Sequence, residues 1–175
     1  MPAESMTVTP VPLPAHSGIA HLYSSVQLAD AYTLPLPEGA SRDPEVLARF
    51  MFAHQPAWIS RLMRVRDSIV ARFGLKTARH LTSLAAEAPT RRVGIFKIYS
   101  VDDTEIVVGE DDTHLDFRVS VLRSRGPAPQ LTVSTVVHCH NRLGRVYVLA
   151  IAPFHRMVVK ASLRRAAHIG WPQGM

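Results

Sequence analysis

Cysteine is almost absent. Cys139 stands alone in 175 residues, so no internal disulfide can form and a cysteine-based zinc knuckle is excluded. Long apolar runs are missing too: the longest, VYVLAIAPF, is roughly half of the ~18 residues that a membrane span needs. The stretch MPAESMTVTPVPLPAH lacks the basic start and apolar core of a secretory signal. These absences predict a cytoplasmic protein with no membrane span. No GxGxxG or GxxxxGK[ST] segment is present to hold a nucleotide, and no GxSxG, HExxH or CxxC segment supports hydrolase, protease or redox chemistry. No cofactor is expected.

What is present is a balance of 47% hydrophobic and 19% charged residues, which suits a globular domain, and the length suits a single one. The net charge of +6 could attract nucleic acid, but the arginines are dispersed, without a run of five and without interleaved aromatics. They read as solvated faces, and no nucleic-acid partner is expected.

Residues 1–15, with Pro2, Pro10, Pro12 and Pro14, read as a flexible or draped proline-rich arm, residues 16–168 as the domain and residues 169–175 as a tail. Around Tyr32 and Thr33 lies a first strand that Pro35 and Pro37 must end. Asp43 before Pro44 is an N-cap signal for a helix running to Gln55. A second helix follows Pro56, with Trp58, Leu62, Val65, Ile69 and Phe73 as its apolar stripe and Gly74 as its stop. LKTARHLTSLAAEAPT reads equally as a short helix or a covering loop.

From Arg91 the apolar period changes to two, and VGIFKIYSV, EIVVG, HLDFRVSVLR and LTVSTVVHCHN form an antiparallel meander. The last block could be a strand to Ile151 and then a helix starting at Pro153, or one long helix. Val146, Tyr147, Ala150, Ile151, Phe154, Met157, Val158 and Ala161 share one arc at 100° per residue, which favours the single helix. The order of elements predicts an α+β fold whose sheet wraps the C-terminal helix.

Several motifs, DAYTLPLP, HLDFRVSV, HNRLGR, and PFHRMVV with LRRAA, resemble the bacterial domain-of-unknown-function family numbered 2867, over about residues 25–167. That family is similar to the START and birch-pollen-allergen-like (SRPBCC) superfamily. The resemblance implies a helix-grip fold: a curved antiparallel sheet around a long C-terminal helix, with two helices after the first strand. It also implies an apolar cavity, used in that superfamily to carry lipids, sterols or hormones or to cyclise and aromatise polyketides.

Alternation along the strands sorts the candidate residues. Leu115, Phe117, Val119 and Val121 share one face with Leu131, Val133, Thr135, Val137 and Cys139, while His114, Asp116, Arg118, His138 and His140 share the outer one. The HxH spacing with His114 or Asp116 could ligate a metal, but a cross-strand polar ladder is the preferred reading and no metal is expected. Cys139 reads as a small buried apolar residue. Asn141 can cap the last helix, and Arg142 and Arg145 in its first turn call for an acidic neighbour such as GEDD at 109–112, or for an anionic ligand.

Three readings follow. The first is a domain that binds an apolar or amphipathic small molecule between sheet and last helix, lined by Trp58, Phe117, Val119, Tyr147, Phe154 and His155. In the second, the same cavity catalyses a cyclase, aromatase or dehydratase reaction, with His155 as acid or base and Tyr147, Tyr32 and Asp30 as its candidate partners. The third is an interaction domain with a filled core whose outer polar face meets another subunit, as in a homodimer. A titratable pair inside would favour the enzyme and an apolar lining the carrier.

Overall fold

The computed structural model describes residues 7–73, 77 and 91–174. Gly74 and all of LKTARHLTSLAAEAPT except Thr77 lie outside the described residues.

Strands β1 (Thr9–Val11), β2 (Leu28–Pro35), β3 (Arg92–Val93), β4 (Phe96–Val101), β5 (Glu105–Asp111), β6 (Leu115–Arg123) and β7 (Gln130–Cys139) alternate as the period of two requires. They form one antiparallel sheet in the order β1-β2-β7-β6-β5-β4-β3. Helices α1 (Pro44–Ala53) and α2 (Ala57–Val70) lie between β2 and β3, and α3 (Arg142–Ile169) follows β7. The fold is therefore α+β, with a seven-stranded sheet and a long C-terminal helix that runs unbroken through Pro153. Pro153 sits on the exposed side of α3, where the carbonyl it leaves without a partner can be hydrated.

Register confirms the matched apolar faces: Phe117 lies opposite Val137, Val121 opposite Val133 and Leu115 opposite Cys139. On this inner face Leu34, Val108, Val121, Leu131 and Val133 bury themselves against Leu47, Ala48 and Met51 of α1 and Leu163 and Ala166 of α3. Each leucine so enclosed contributes about 1.5–3 kcal/mol. A second cluster, Leu28, Leu115, Val137, Cys139 and Val148, lies under the first turns of α3. There burial pushes the Cys139 thiol up from its ordinary range, as suits an inert core residue.

Both expected caps form. Asn141 Oδ1 accepts from the Gly144 amide at 2.9 Å, and Asp43 Oδ1 accepts from Glu45 N at 2.8 Å. Asp43→Ala is expected to cost about 1 kcal/mol in urea unfolding, with an unchanged midpoint counting against the cap.

Several expectations need correction. The proline-rich arm supplies β1 and buries Val8, so it is partly integrated into the sheet. Beyond β1, residues 13–27 cross the outer face, where Leu13, Ile19 and Tyr23 pack on Val107, Val136 and Tyr99. The tail is docked too: Trp171 is in the core, Ser41 N donates to Pro172 O at 2.7 Å, and Gly174 N donates to Gly39 O at 2.9 Å. The buried stripes of both long helices are rotated from the predicted ones. On α2, Ile59 and Val70 are buried while Trp58, Val65 and Ile69 are exposed. On α3 the inward line runs through Gly144, Val148, Leu163 and Ala166, leaving Val146, Phe154 and Met157 outside.

Candidate functional site

The inner face of β2 reads Leu28, Asp30, Tyr32, Leu34, and that of β7 reads Leu131, Val133, Thr135, Val137. One polar residue interrupts each apolar series, and the register sets them opposite one another as the pair Asp30–Thr135. Rotation of α3 brings His155 onto this band. Its Nε2 stands 3.5 Å from Asp30 Oδ1, and Arg156 Nε approaches Asp30 Oδ2, also at 3.5 Å. Ser162, two turns further along the same side of α3, is buried as well.

This band divides the two apolar clusters. Both Asp30 oxygens, Thr135 Oγ1, His155 Nε2 and Ser162 Oγ are buried without a hydrogen-bond partner. Each such atom costs about 1–3 kcal/mol if it stays unsatisfied. Tyr32 joins the group one strand step from Asp30; burial, then the Asp30 carboxylate, raises its phenol above the ordinary range, against the pull of Arg156. Lys160 Nζ lies 5.8 Å from the Tyr32 ring centre.

Of the predicted lining, Phe117, Val119, Tyr147 and His155 are on the inner side, with Phe117 and Tyr147 both packed on the cluster beneath Val148. Trp58 and Phe154 are not: they are 39% and 49% exposed. Among the acid–base candidates, Asp30 and Tyr32 meet the neighbourhood of His155. Tyr147 instead accepts a hydrogen bond from Arg66 Nε at 2.7 Å, tying α3 to α2. Thr135 and Ser162 were not singled out from the sequence, although a lone polar residue on an otherwise apolar strand face is a readable signal for Thr135.

On the opposite face, His138 Nδ1 is 2.7 Å from Ser25 O, and its ring stacks on Tyr23. Asp116 pairs with His140 at 3.0 Å, the ladder expected from a carboxylate and a histidine. His114 lies in the turn before β6, with Nδ1 2.8 Å from Asn141 Nδ2. Arg118 donates to Asp111 Oδ1 at 2.7 Å, with its guanidinium carbon 3.5 Å from the Tyr99 ring centre. Burial opposes ionisation of Asp111, but hydrogen bonds from Arg118 and Tyr99 outweigh it and hold the carboxyl below its usual range. Burial and the bond to Asp111 drive the Tyr99 phenol strongly upward. Arg118 is thereby buried under the chain's own N-terminal segment, while His114, Asp116 and His138 are half-buried and His140 is exposed. In the acidic run, Glu110 pairs with Arg92 and Asp111 with Arg118.

Together these features define an α+β domain with an antiparallel sheet, one face covered by helices and a half-buried carboxylate–imidazole pair at that junction. The chain belongs to the family described as protein of unknown function (DUF2867), whose model matches residues 22–162. No curated protein and no solved structure matches it.

Proposed function

We propose that this domain is of the helix-grip kind and holds an amphipathic small molecule between the sheet and α3. The connectivity supports the first part: leaving out the short β1, the first strand β2 lies beside the last, β7, two helices separate β2 from β3, and the long helix comes at the end. The observation that carries the second is the set of five buried polar atoms without a hydrogen bond on Asp30, Thr135, His155 and Ser162, those of Asp30 and His155 held only at ion-pair distances of 3.5 Å. A folded chain gains nothing from desolvating such groups, whereas a ligand with a hydroxyl or carbonyl end would satisfy them. Its apolar body would lie toward Phe96, Ile98 and Phe117, inner-face residues that stay partly accessible.

The test exchanges the polar pair for leucines. The double variant Asp30→Leu/His155→Leu is expected to be more stable by about 1–3 kcal/mol, since it removes desolvated groups from an apolar setting. It should also lose any small molecule that native mass spectrometry finds on the wild-type protein. A destabilised double variant would assign the pair to structure and end the ligand reading.

The Asp30–His155 pair favours one second reading, acid–base catalysis of the cyclase, aromatase or dehydratase type. A dehydration balances here. His155 Nε2 takes a proton from carbon, the freed electron pair forms the double bond, and the departing hydroxyl leaves as water with the proton that Nε2 returns. His155→Gln separates the readings: under catalysis the variant retains a molecule heavier by one water, and under simple binding it retains the same molecule as the wild type.

A further inference from the structure

α3 carries six Arg or Lys residues and no Asp or Glu, and it is long and apolar enough by composition to cross a bilayer, although within the fold its inner side packs on the sheet. Its outward side is unusual. Val146, Leu149 and Met157 are 64%, 75% and 50% exposed, and with Pro153 they fall within one arc of the helix surface, three or four residues apart. Phe154 borders the same arc. Arg142 and Arg145 stand at one end of this ridge and Arg164 and Arg165 at the other, all four exposed. None of these four forms an ion pair among the described residues.

We propose that this ridge docks on an anionic lipid bilayer, with the apolar residues entering the headgroup region and the flanking arginines meeting lipid phosphates. Charge complementarity selects this occupant. A convex helix with apolar side chains at its middle, cations at both ends and no anion matches a surface that is apolar beneath and negative above. The first-turn arginines then have a reason to stand where the helix dipole disfavours them. α2, tied to α3 through Arg66 and Tyr147, exposes Trp58, Val65 and Ile69 beside Arg61 and Arg72, the same mixture of apolar and cationic residues.

The experiment is flotation of the full chain with vesicles of phosphatidylcholine mixed with phosphatidylserine, against phosphatidylcholine alone. Wild-type protein is expected to float with the anionic vesicles and to be released by high salt. Arg142→Gln/Arg145→Gln should weaken partitioning about thirtyfold, each basic residue at such a surface contributing roughly fivefold. Leu149→Glu/Met157→Glu should abolish it, while circular dichroism and thermal unfolding stay at wild-type values because both side chains are exposed. Absence of wild-type flotation overturns the proposal, as does flotation that survives Leu149→Glu/Met157→Glu. A dimer in light scattering that this same variant dissolves would give the ridge to a second copy of the chain and likewise overturn it.

Discussion

Gly109→Ala is expected to destabilise the protein by about 3 kcal/mol or more, read as a lowered midpoint in thermal and urea unfolding. Gly109 lies mid-strand in β5, directly opposite Arg118 of β6. A Cβ there would sit 2.1 Å from the Phe117 carbonyl oxygen and 3.0 Å from Arg118 Cδ. The first of these neighbours is backbone in the centre of the sheet, so no side-chain rotation relieves the clash. Relief requires β5 and β6 to separate, which also pulls Arg118 from Asp111 and from the Tyr99 ring. A cost of about 3 kcal/mol or more follows, at the upper end of overpacking effects, against a total stability of roughly 5–15 kcal/mol for a domain. Alanine is the smallest side chain, so a near-native Gly109→Ala protein would show that the two strands pair differently from the register described.

The second large effect concerns Glu105, at the start of β5. Its carboxylate is buried on the outer face and accepts from Ser17 Oγ at 2.5 Å, from the Gly18 amide at 2.9 Å and from Ser120 Oγ. It is the anchor of the segment that crosses that face. Glu105→Ala removes the acceptor from three donors at once. Bonds to a charged group contribute about 1.5–3 kcal/mol each, part of which is returned because the carboxylate no longer has to be desolvated. A net loss of about 3 kcal/mol is expected, and its location is diagnostic. Residues 13–27 should lift before the sheet unfolds, so limited chymotrypsin digestion should cut first at Leu22 and Tyr23, while the helical signal in circular dichroism persists. Simultaneous loss of both signals would mean that the segment is integral to the core rather than laid over it.

Much of this fold is legible in the chain because its signals are local. The Asp43–Pro44 and Asn141 caps, the alternation of β6 and β7 and the continuity of α3 through Pro153 each depend on neighbouring residues. The partnership of His155 with Asp30 is among the three that the sequence offers, Tyr147 and Tyr32 being the others. The rotated stripes were not legible. α2 and α3 have more apolar residues than inward positions, so the most apolar arc is not the buried one, and burial follows contact with the sheet instead. The docked N-terminal segment and the buried Trp171 were hidden for another reason. One depends on a carboxylate 88 residues away, the other on a lone tryptophan beyond Gly170 with no period to reveal it.

The two short outer strands have a consequence for how the molecule behaves among its own copies. β2 alone, already paired with β7 on one side, would offer the backbone donors and acceptors of alternate residues along its eight-residue free edge to any passing strand. β1 covers its middle with three residues, one of them Pro10, which has no amide hydrogen to lend, and β3 closes the far side with two. The sheet thus ends on both sides in strands too brief to template further growth, a built-in guard against edge-to-edge aggregation.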